Sequence, residues 1–427
     1  MHVVVLGLGT AGAAAAAFLA RSGVQVTGID ALPLEQTGAR WVNGVPAWSF
    51  DAVGLERPSA PELRSPSAPF HLVAGWGGPS ITAPSVLEVD MRHLTTRLLD
   101  AARGAGAELR GGVRVRQVDG GRVELPDGTL QADVVVDATG HAGLRLLGQP
   151  KVPAHDLCAA AQEVREVADP DAAAAFFRER GAQPGEVVCF TGIAGGYSIL
   201  NTRLDGRHVG LLSGSIAGSG HPSGAAILKR FVADNPWIGP RVFGGQRSIP
   251  LRRPLEVIGW GRTVSLGDSA SMVFAAHGSG VAQQLLAARV LARELASGGD
   301  AWSVNVAWQR AHGGLLASSD LLRRASEGLS IDDLAALMQR GVMSPGMSSD
   351  TMAQRPPRPP LRAVLRAGRG LAKLPKQARR MVPPLVRGRL VEAHYRRYPS
   401  RPEGLPRWRA QLERLTGQPT WAPTTTL

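Results

Sequence analysis

The chain has 427 residues, 44% hydrophobic and 19% charged, enough apolar material for a large core and too much for a disordered chain or a miniprotein. Its two cysteines, Cys158 and Cys189, form neither a disulfide framework nor a CxxC pair. The formal net charge of +13 is local: residues 353–427 carry 17 basic against 3 acidic residues, and residues 1–352 carry 31 against 32. No apolar run reaches the ~18 residues of a membrane span. With no basic region before the Ala-rich stretch 13–17, a cytoplasmic protein is expected, with a peripheral membrane association open to the basic C-terminal region.

In chain order, His2–Leu6 (HVVVL) predicts a buried parallel strand. Gly7-Leu8-Gly9-Thr10-Ala11-Gly12 follows, then a helix over Ala13–Arg21, a stop at Gly23 and a second strand Val24–Ile29 that ends at Asp30. Each position suits a dinucleotide. Gly7 permits the tight turn, Gly9 lets a pyrophosphate approach the backbone, and Gly12 with Ala16 lets the helix sit close to the sheet. Thr10 and Ala11 belong to a helix start whose free N–H groups and positive end favour phosphate. Asp30 can accept both hydroxyls of an adenosine ribose and repels a 2′-phosphate, which suits FAD or NAD over NADP.

The Gly/Pro-rich segment after Asp30 holds Arg40, either a phosphate ligand or a surface charge. It also holds Trp41, Trp48, Phe50 and Trp76, either a pocket wall or core packing. Gln131–Gly140 (QADVVVDATG) predicts a buried strand ending in a small-residue turn. Val264–Asp268 (VSLGD) predicts another, ending in an acid, and a helical stretch Gly280–Leu295 follows. A second, distant carboxylate is idle in a NAD dehydrogenase, but it can accept the ribityl hydroxyls of FAD. Between them, Glu186–Thr191, Tyr197–Asn201 and His208–Ser213 read as strands and Gly224–Ala233 as a helix. Trp302–Gln339 reads as helical, with a helix start at Ser330-Ile331-Asp332-Asp333. Residues 355–360 (RPPRPP) suggest a stiff linker, and 361–374 and 381–395 suggest basic amphipathic helices.

GLGTAG with Asp30, the DATG at 137–140 and the Gly-Asp at 267–268 together resemble the FAD-dependent oxidoreductase superfamily of p-hydroxybenzoate hydroxylase, geranylgeranyl reductase and the flavin-dependent halogenases. The resemblance runs from His2 to about Ser297. It implies an α/β fold: a Rossmann-like FAD-binding domain with an inserted antiparallel-sheet substrate domain and a C-terminal helical region. The boundaries would be 1–150 and 251–300 for the FAD-binding domain, 151–250 for the substrate domain, 301–352 for a helical region and 353–427 for the basic region. Asp268 would bind the ribityl chain, and Val115, on a strand Val113–Val118, would meet adenine through its backbone. Ala138 and Gly140 would form a cofactor turn. Gly278 and Gly280 would open a helix whose positive end faces the flavin.

Departures from the family pattern narrow the chemistry. Met91 stands where the family often has Arg, with Arg92 one place off. Halogenases resemble one another in an early lysine and a Trp-x-Trp-x-Ile-Pro segment; here the first lysine is Lys151, and no two tryptophans are two residues apart. Prenyl reductases resemble one another in Tyr-x-Trp-x-Phe-Pro, of which residues 197–202 keep only Tyr197.

His277, in FAAHGSG, is the titratable residue that the resemblance places beside the isoalloxazine. It is either a proton donor near neutral pH or a helix-capping or surface histidine. His141 reads as a solvent-facing loop histidine. No GxSxG, HExxH, EF-hand or Walker sequence occurs, and no metal site is expected.

The expectation is an FAD-dependent monooxygenase or hydroxylase of an apolar or carrier-linked small molecule, with NAD(P)H or a partner reductase as electron donor. The alternatives are a geranylgeranyl-reductase-like enzyme acting on C–C bonds and a non-catalytic flavin-binding adaptor. The basic region 353–427 is expected to serve as a membrane-surface contact, a carrier-protein contact or an ordinary helical subdomain, without nucleic acid.

Overall fold

The computed structural model describes residues 1–356 and 359–423. The 355–360 linker therefore lies in part outside the described residues.

The first sheet runs Gly259–Trp260, Thr263–Ser265, Val134–Asp137, His2–Leu6, Gln25–Ile29, Glu108–Arg110. All neighbours are parallel except the short hairpin at the Gly259–Trp260 edge. Alternation along His2–Leu6 sorts its side chains into two layers. Val3 and Val5 join the core of helices Thr10–Arg21, Met91–Gly104 and Val281–Ala296. Val4 and Leu6 face Val123 and Leu125 of a three-stranded antiparallel sheet, Gln117–Asp119, Arg122–Leu125 and Gly128–Gln131. Ala13–Ala17 are all buried, and the lack of bulk there allows the first helix its close seat.

The predicted strand Val113–Val118 is shorter and later, Gln117–Asp119. Alternating Val and Arg fit a strand pattern, but Val113 lies beside the end of the second strand, where its N–H donates to the Asp30 carbonyl at 2.9 Å. The Arg116 N–H already reaches the Glu124 carbonyl of the three-stranded sheet at 2.8 Å.

The second sheet has seven strands in the order Ile238–Pro250, Leu157–Val167, His208–Ser215, Ser198–Asp205, Val187–Thr191, Pro69–Ala74, Ser80–Pro84. It is antiparallel except where Val187–Thr191 meets Pro69–Ala74. Two of its strands thus come from inside 1–150, so this sheet is not confined to 151–250. Helices Pro170–Arg178 and Gly224–Ala233 cover it over Phe176, Phe177, Phe190, Phe231 and Trp237.

Helices Ala301–Trp308 and Gly314–Ser326 are joined by a π-helical turn, Gln309–Gly313. Ser330 opens the helix Ile331–Gln339 with a capping box to Asp333. The basic region then folds back. Helix Pro375–Tyr395 packs on Gly314–Ser326, and Val391, Tyr395, Tyr398, Trp408 and Leu412 share one core with Val257, Trp302 and Leu321. Arg253, 1% exposed, ties down the chain end. It pairs with Glu256 at 2.7 Å and donates to Gln418 Oε1 at 2.9 Å, while the Trp421 N–H donates to Glu256 Oε2 at 3.0 Å. The C-terminal region is therefore a strap built into the body.

Arg253→Ala leaves Glu256 charged and buried without its partner. We expect a loss of ~3–5 kcal/mol in stability, read as a lowered denaturant midpoint. An unchanged midpoint would show that the Arg253–Glu256 pair contributes nothing to stability.

Candidate active site

Backbone sterics fix the nucleotide turn. Gly7 has φ +86, and a Cβ on it would lie 2.5 Å from the Ala138 carbonyl oxygen. A Cβ on Gly12 would lie 1.8 Å from the Gly7 oxygen. Both glycines exist for packing. Gly9 differs: its φ is an ordinary −66, and the nearest atom to a Cβ there is Gly38 Cα at 3.7 Å. Gly9 leaves open space rather than relieving a clash.

That space belongs to a cleft of about 620 Å³ at the carboxyl ends of the parallel strands. Gly7, Gly9, Thr10 and Ala11 line it on one side, and Ala138 and Gly140 on another. Asp30, Val115, Asp268, Gly278 and Gly280 also border it. Gly12 sits behind the turn, in the packing role its spacing suggested.

Two helix starts meet this cleft. Helix Thr10–Arg21 begins at Gly9 and helix Val281–Ala296 at Gly280, neither with a side-chain cap. Uncapped first-turn N–H groups are anion and dipole sites. The Asp30 carboxylate is held by the N–H groups of Leu8 (2.6 Å) and Leu32 (2.8 Å), which orients it and leaves acceptor capacity for hydroxyls. Asp268 Oδ1 accepts from Gln284 Nε2 at 3.1 Å. Burial pushes the Asp268 carboxyl up, against His141, Arg247 and the Gln284 amide, which pull it down. Two uncapped helix starts, two oriented carboxylates and an open glycine cradle fit an extended dinucleotide such as FAD.

Other expectations move. Arg40 is outside the cleft, with its guanidinium 3.5 Å from the Glu35 carbonyl. Arg247, from the distant strand Ile238–Pro250, takes a place in the lining and donates to the Gly38 carbonyl. No local motif marks Arg247. Arg92 pairs with the buried Asp90 at 2.6 Å and lies over the Phe243 ring, away from the cleft. The four aromatics do not gather. Trp41 lines the cleft, Phe50 is core, Trp48 Nε1 donates to the Ala353 carbonyl at 2.8 Å, and Trp76 stacks on Phe231. His141 Nε2 is hydrogen-bonded to Ser248 Oγ at 2.6 Å.

His277 precedes the lining residue Gly278 but is not itself in the lining. Its Nδ1 is buried without a hydrogen-bond partner among the described residues, and burial pushes its pKa down to about 4. It is a neutral imidazole at pH 7, unlike the expected near-neutral proton donor. Behind the glycine loop stands Tyr197. Its Oη lies 2.5 Å from where a Gly278 Cβ would project, with Leu251 next at 3.8 Å. The Tyr197 N–H donates to Glu327 Oε2 at 2.9 Å, and burial raises the Tyr197 hydroxyl well above its usual pKa.

No protein-family model matches the chain. It is 24% identical over 376 residues to digeranylgeranylglycerophospholipid reductase of Sulfolobus acidocaldarius, covering 80% of each chain. The geranylgeranyl bacteriochlorophyll reductase-like protein of Thermoplasma acidophilum superposes with a TM-score of 0.67 at 16% identity, over 88% of this chain and 98% of that one. A point variant of Klebsiella pneumoniae HpxO, complexed with FAD, gives 0.60 at 16%, over 83% and 99%.

The chain is thus similar, over most of its length, to FAD-dependent oxidoreductases. This flavoenzyme has the fold its sequence implied: a Rossmann-like parallel sheet, an antiparallel sheet and C-terminal helices. Among the described residues no helix is long and apolar enough to cross a membrane.

Gly9→Val should fold, because its backbone and space permit a side chain, yet weaken FAD binding by at least about tenfold by filling the phosphate approach. A yellow, fully loaded variant would contradict the cradle. A second outcome concerns pH. Above the ordinary histidine value of 6.5, His277 is neutral folded and unfolded. As pH falls from 6.5 towards 4, the unfolded chain binds a proton that the folded site refuses, so stability falls. The slope attributable to His277 is about 1.4 kcal/mol per pH unit. In His277→Gln the denaturant midpoint should fall less steeply over that window; an identical slope would refute the buried neutral imidazole.

Proposed function

We propose that this flavoenzyme is a prenyl-lipid reductase that adds hydrogen across C=C bonds of an isoprenoid chain. The observation that carries the reading is the reductase relative aligned over 80% of both chains. It is supported by the higher structural likeness to the reductase-like protein than to HpxO. These relations favour reduction over the oxygen insertion that the sequence motifs led us to expect first.

The residues near Gly278 suit an apolar, uncharged substrate. Leu251 and Phe274 are buried there, and burial pushes the Cys158 thiol up to about 12 and the His277 imidazole down to about 4. Both of these side chains are driven to the neutral form, while Arg323 and Glu327 act electrostatically on the neighbouring Tyr197. Saturating one C=C bond takes an electron pair and two protons in total. Bound FAD, reduced by NAD(P)H or a partner reductase, supplies hydride. The remaining hydrogen arrives as a proton. Tyr197 keeps one at Oη throughout the neutral range, at the edge of the Gly278 loop. Glu327 fixes the start of its strand through the Tyr197 N–H. Tyr197 is the proton-holding residue of this reading.

Anaerobic incubation with chemically reduced flavin and a geranylgeranyl lipid should add two hydrogens per double bond by mass spectrometry. Tyr197→Phe should retain FAD and lower kcat by about tenfold or more. Product that forms only with oxygen and carries an added oxygen atom would overturn the reading in favour of a monooxygenase.

A further inference from the structure

Helices Leu361–Ala372 and Pro375–Tyr395 each bury one side and expose another that is apolar. On the first, Gly370 is buried and Leu371 packs inward together with Leu374 and Met381, against Leu334, Leu337 and Met338 of the helix Ile331–Gln339. Its opposite face shows Leu361, Val364 and Leu365 to solvent, with Leu361 74% exposed. The spacing i, i+3, i+4 sets them on one stripe. On the second helix, Gly388, Val391 and Tyr395 are buried, while Val382, Leu385, Val386 and Leu390 are exposed. These seven are a majority of the 13 large hydrophobics exposed among the described residues, so the apolar surface of the molecule is concentrated on one pair of helices.

The charge around that surface has one sign. Residues 361–390 contain nine Arg and Lys and no Asp or Glu. Among the described residues Arg362, Arg366, Arg369, Lys373, Arg379 and Arg387 are in no ion pair with protein. Aliphatic residues flanked by unopposed cations match the two layers of an anionic lipid surface: acyl boundary and phosphate headgroups. A protein partner would call for aromatic anchors, and residues 361–390 contain no Phe, Trp or Tyr.

We propose that helices Leu361–Ala372 and Pro375–Tyr395 form a docking face for an anionic phospholipid bilayer, with the seven aliphatic side chains entering the acyl boundary and the arginines on the headgroups. The face lies over the substrate sheet. The helix Ile331–Gln339 beneath it packs on Ala74 of that sheet, and Glu327, just before that helix, holds Tyr197. Docking therefore brings the part of the antiparallel sheet beneath Leu361–Ala372 towards the lipid. The inference stands on these helices alone and does not require the reductase reading.

The test is flotation of full-length, FAD-loaded protein with phosphatidylcholine vesicles, with and without roughly a third phosphatidylglycerol. The protein should float with the anionic vesicles, much less with the neutral ones, and less at high salt. The combined variant Leu361→Ser, Leu365→Ser, Leu385→Ser and Val386→Ser should bind at least about tenfold more weakly with unchanged flavin content and melting. If that variant loses either, Arg362→Glu with Arg366→Glu and Arg369→Glu carries the same expectation. Protein that stays unbound in both vesicle types overturns the proposal, as does undiminished binding by folded variants. Retention by purified acyl carrier protein without vesicle binding also overturns it, assigning the face to a carrier. Binding is read without turnover. A protein that floats but leaves prenyl chains unreduced keeps this face and loses the reductase reading, and the reverse result separates them the other way.

Discussion

The contact between the turn at Gly7 and the end of the strand Val134–Asp137 governs the rest of the molecule. With the Ala138 oxygen 2.5 Å from where a Gly7 side chain would start, only glycine fits. The backbone then reverses tightly enough to aim the start of helix Thr10–Arg21 at the cleft. Gly12, whose own Cβ would strike the Gly7 oxygen, sets the depth of that helix against the sheet. Buried alanines carry the close packing along its length. The second helix start, at Gly280, reaches the same cleft from the far end of the body's sequence. The two positive helix ends and the two carboxylates share a cavity because one parallel sheet holds all four at its carboxyl edge.

What was legible in the sequence follows from this locality. The opening unit declares itself between His2 and Asp30 because strand, glycine turn, helix and acid follow in succession, although the clash that requires Gly7 is with the distant Ala138. The Asp268 segment was readable for the same reason, as a strand, an acid and a helix in succession. The substrate sheet was legible only in part: its inner strands Val187–Thr191, Ser198–Asp205 and His208–Ser215 were anticipated, but its edges were not. Its edge strand Ile238–Pro250 has a mostly exposed and half-exposed pattern and contains Pro240 and Gly244, so no alternation marks it. Pro69–Ala74 joins the sheet only by pairing with Val187–Thr191, far along the chain. Arg247 enters the cofactor cleft on that illegible edge strand. Arg40 was close in sequence to the nucleotide unit, but closeness in sequence does not decide where a flexible guanidinium points.

The C-terminal region shows how charge can mislead about architecture. Its basic composition left open a membrane contact, a carrier-protein contact or an ordinary helical subdomain, and its aromatic residues pack into the body. Tyr395, Tyr398 and Trp408 pack edge to face, and burial raises both tyrosine hydroxyls. Tyr398 Oη accepts from Asn305 Nδ2 at 2.7 Å and donates to the Glu256 carbonyl at 2.8 Å, so this hydroxyl is matched on both sides. A segment anchored this firmly can present arginines and aliphatic residues outward without losing its own fold, because the stabilising residues and the exposed ones lie on opposite helix faces.

The neutrality of the groups around Gly278 completes the argument. Desolvation acts on acids and bases in opposite directions, raising Tyr197 and Cys158 and lowering His277, yet each shift leads to the uncharged form. The charged groups that line the cleft are Asp30, Arg114, Arg247 and Asp268, a set that suits the hydroxyls and phosphates of a dinucleotide. The charged side chains thus belong to the cleft lining, while the neutral Tyr197, Cys158 and His277 lie outside it.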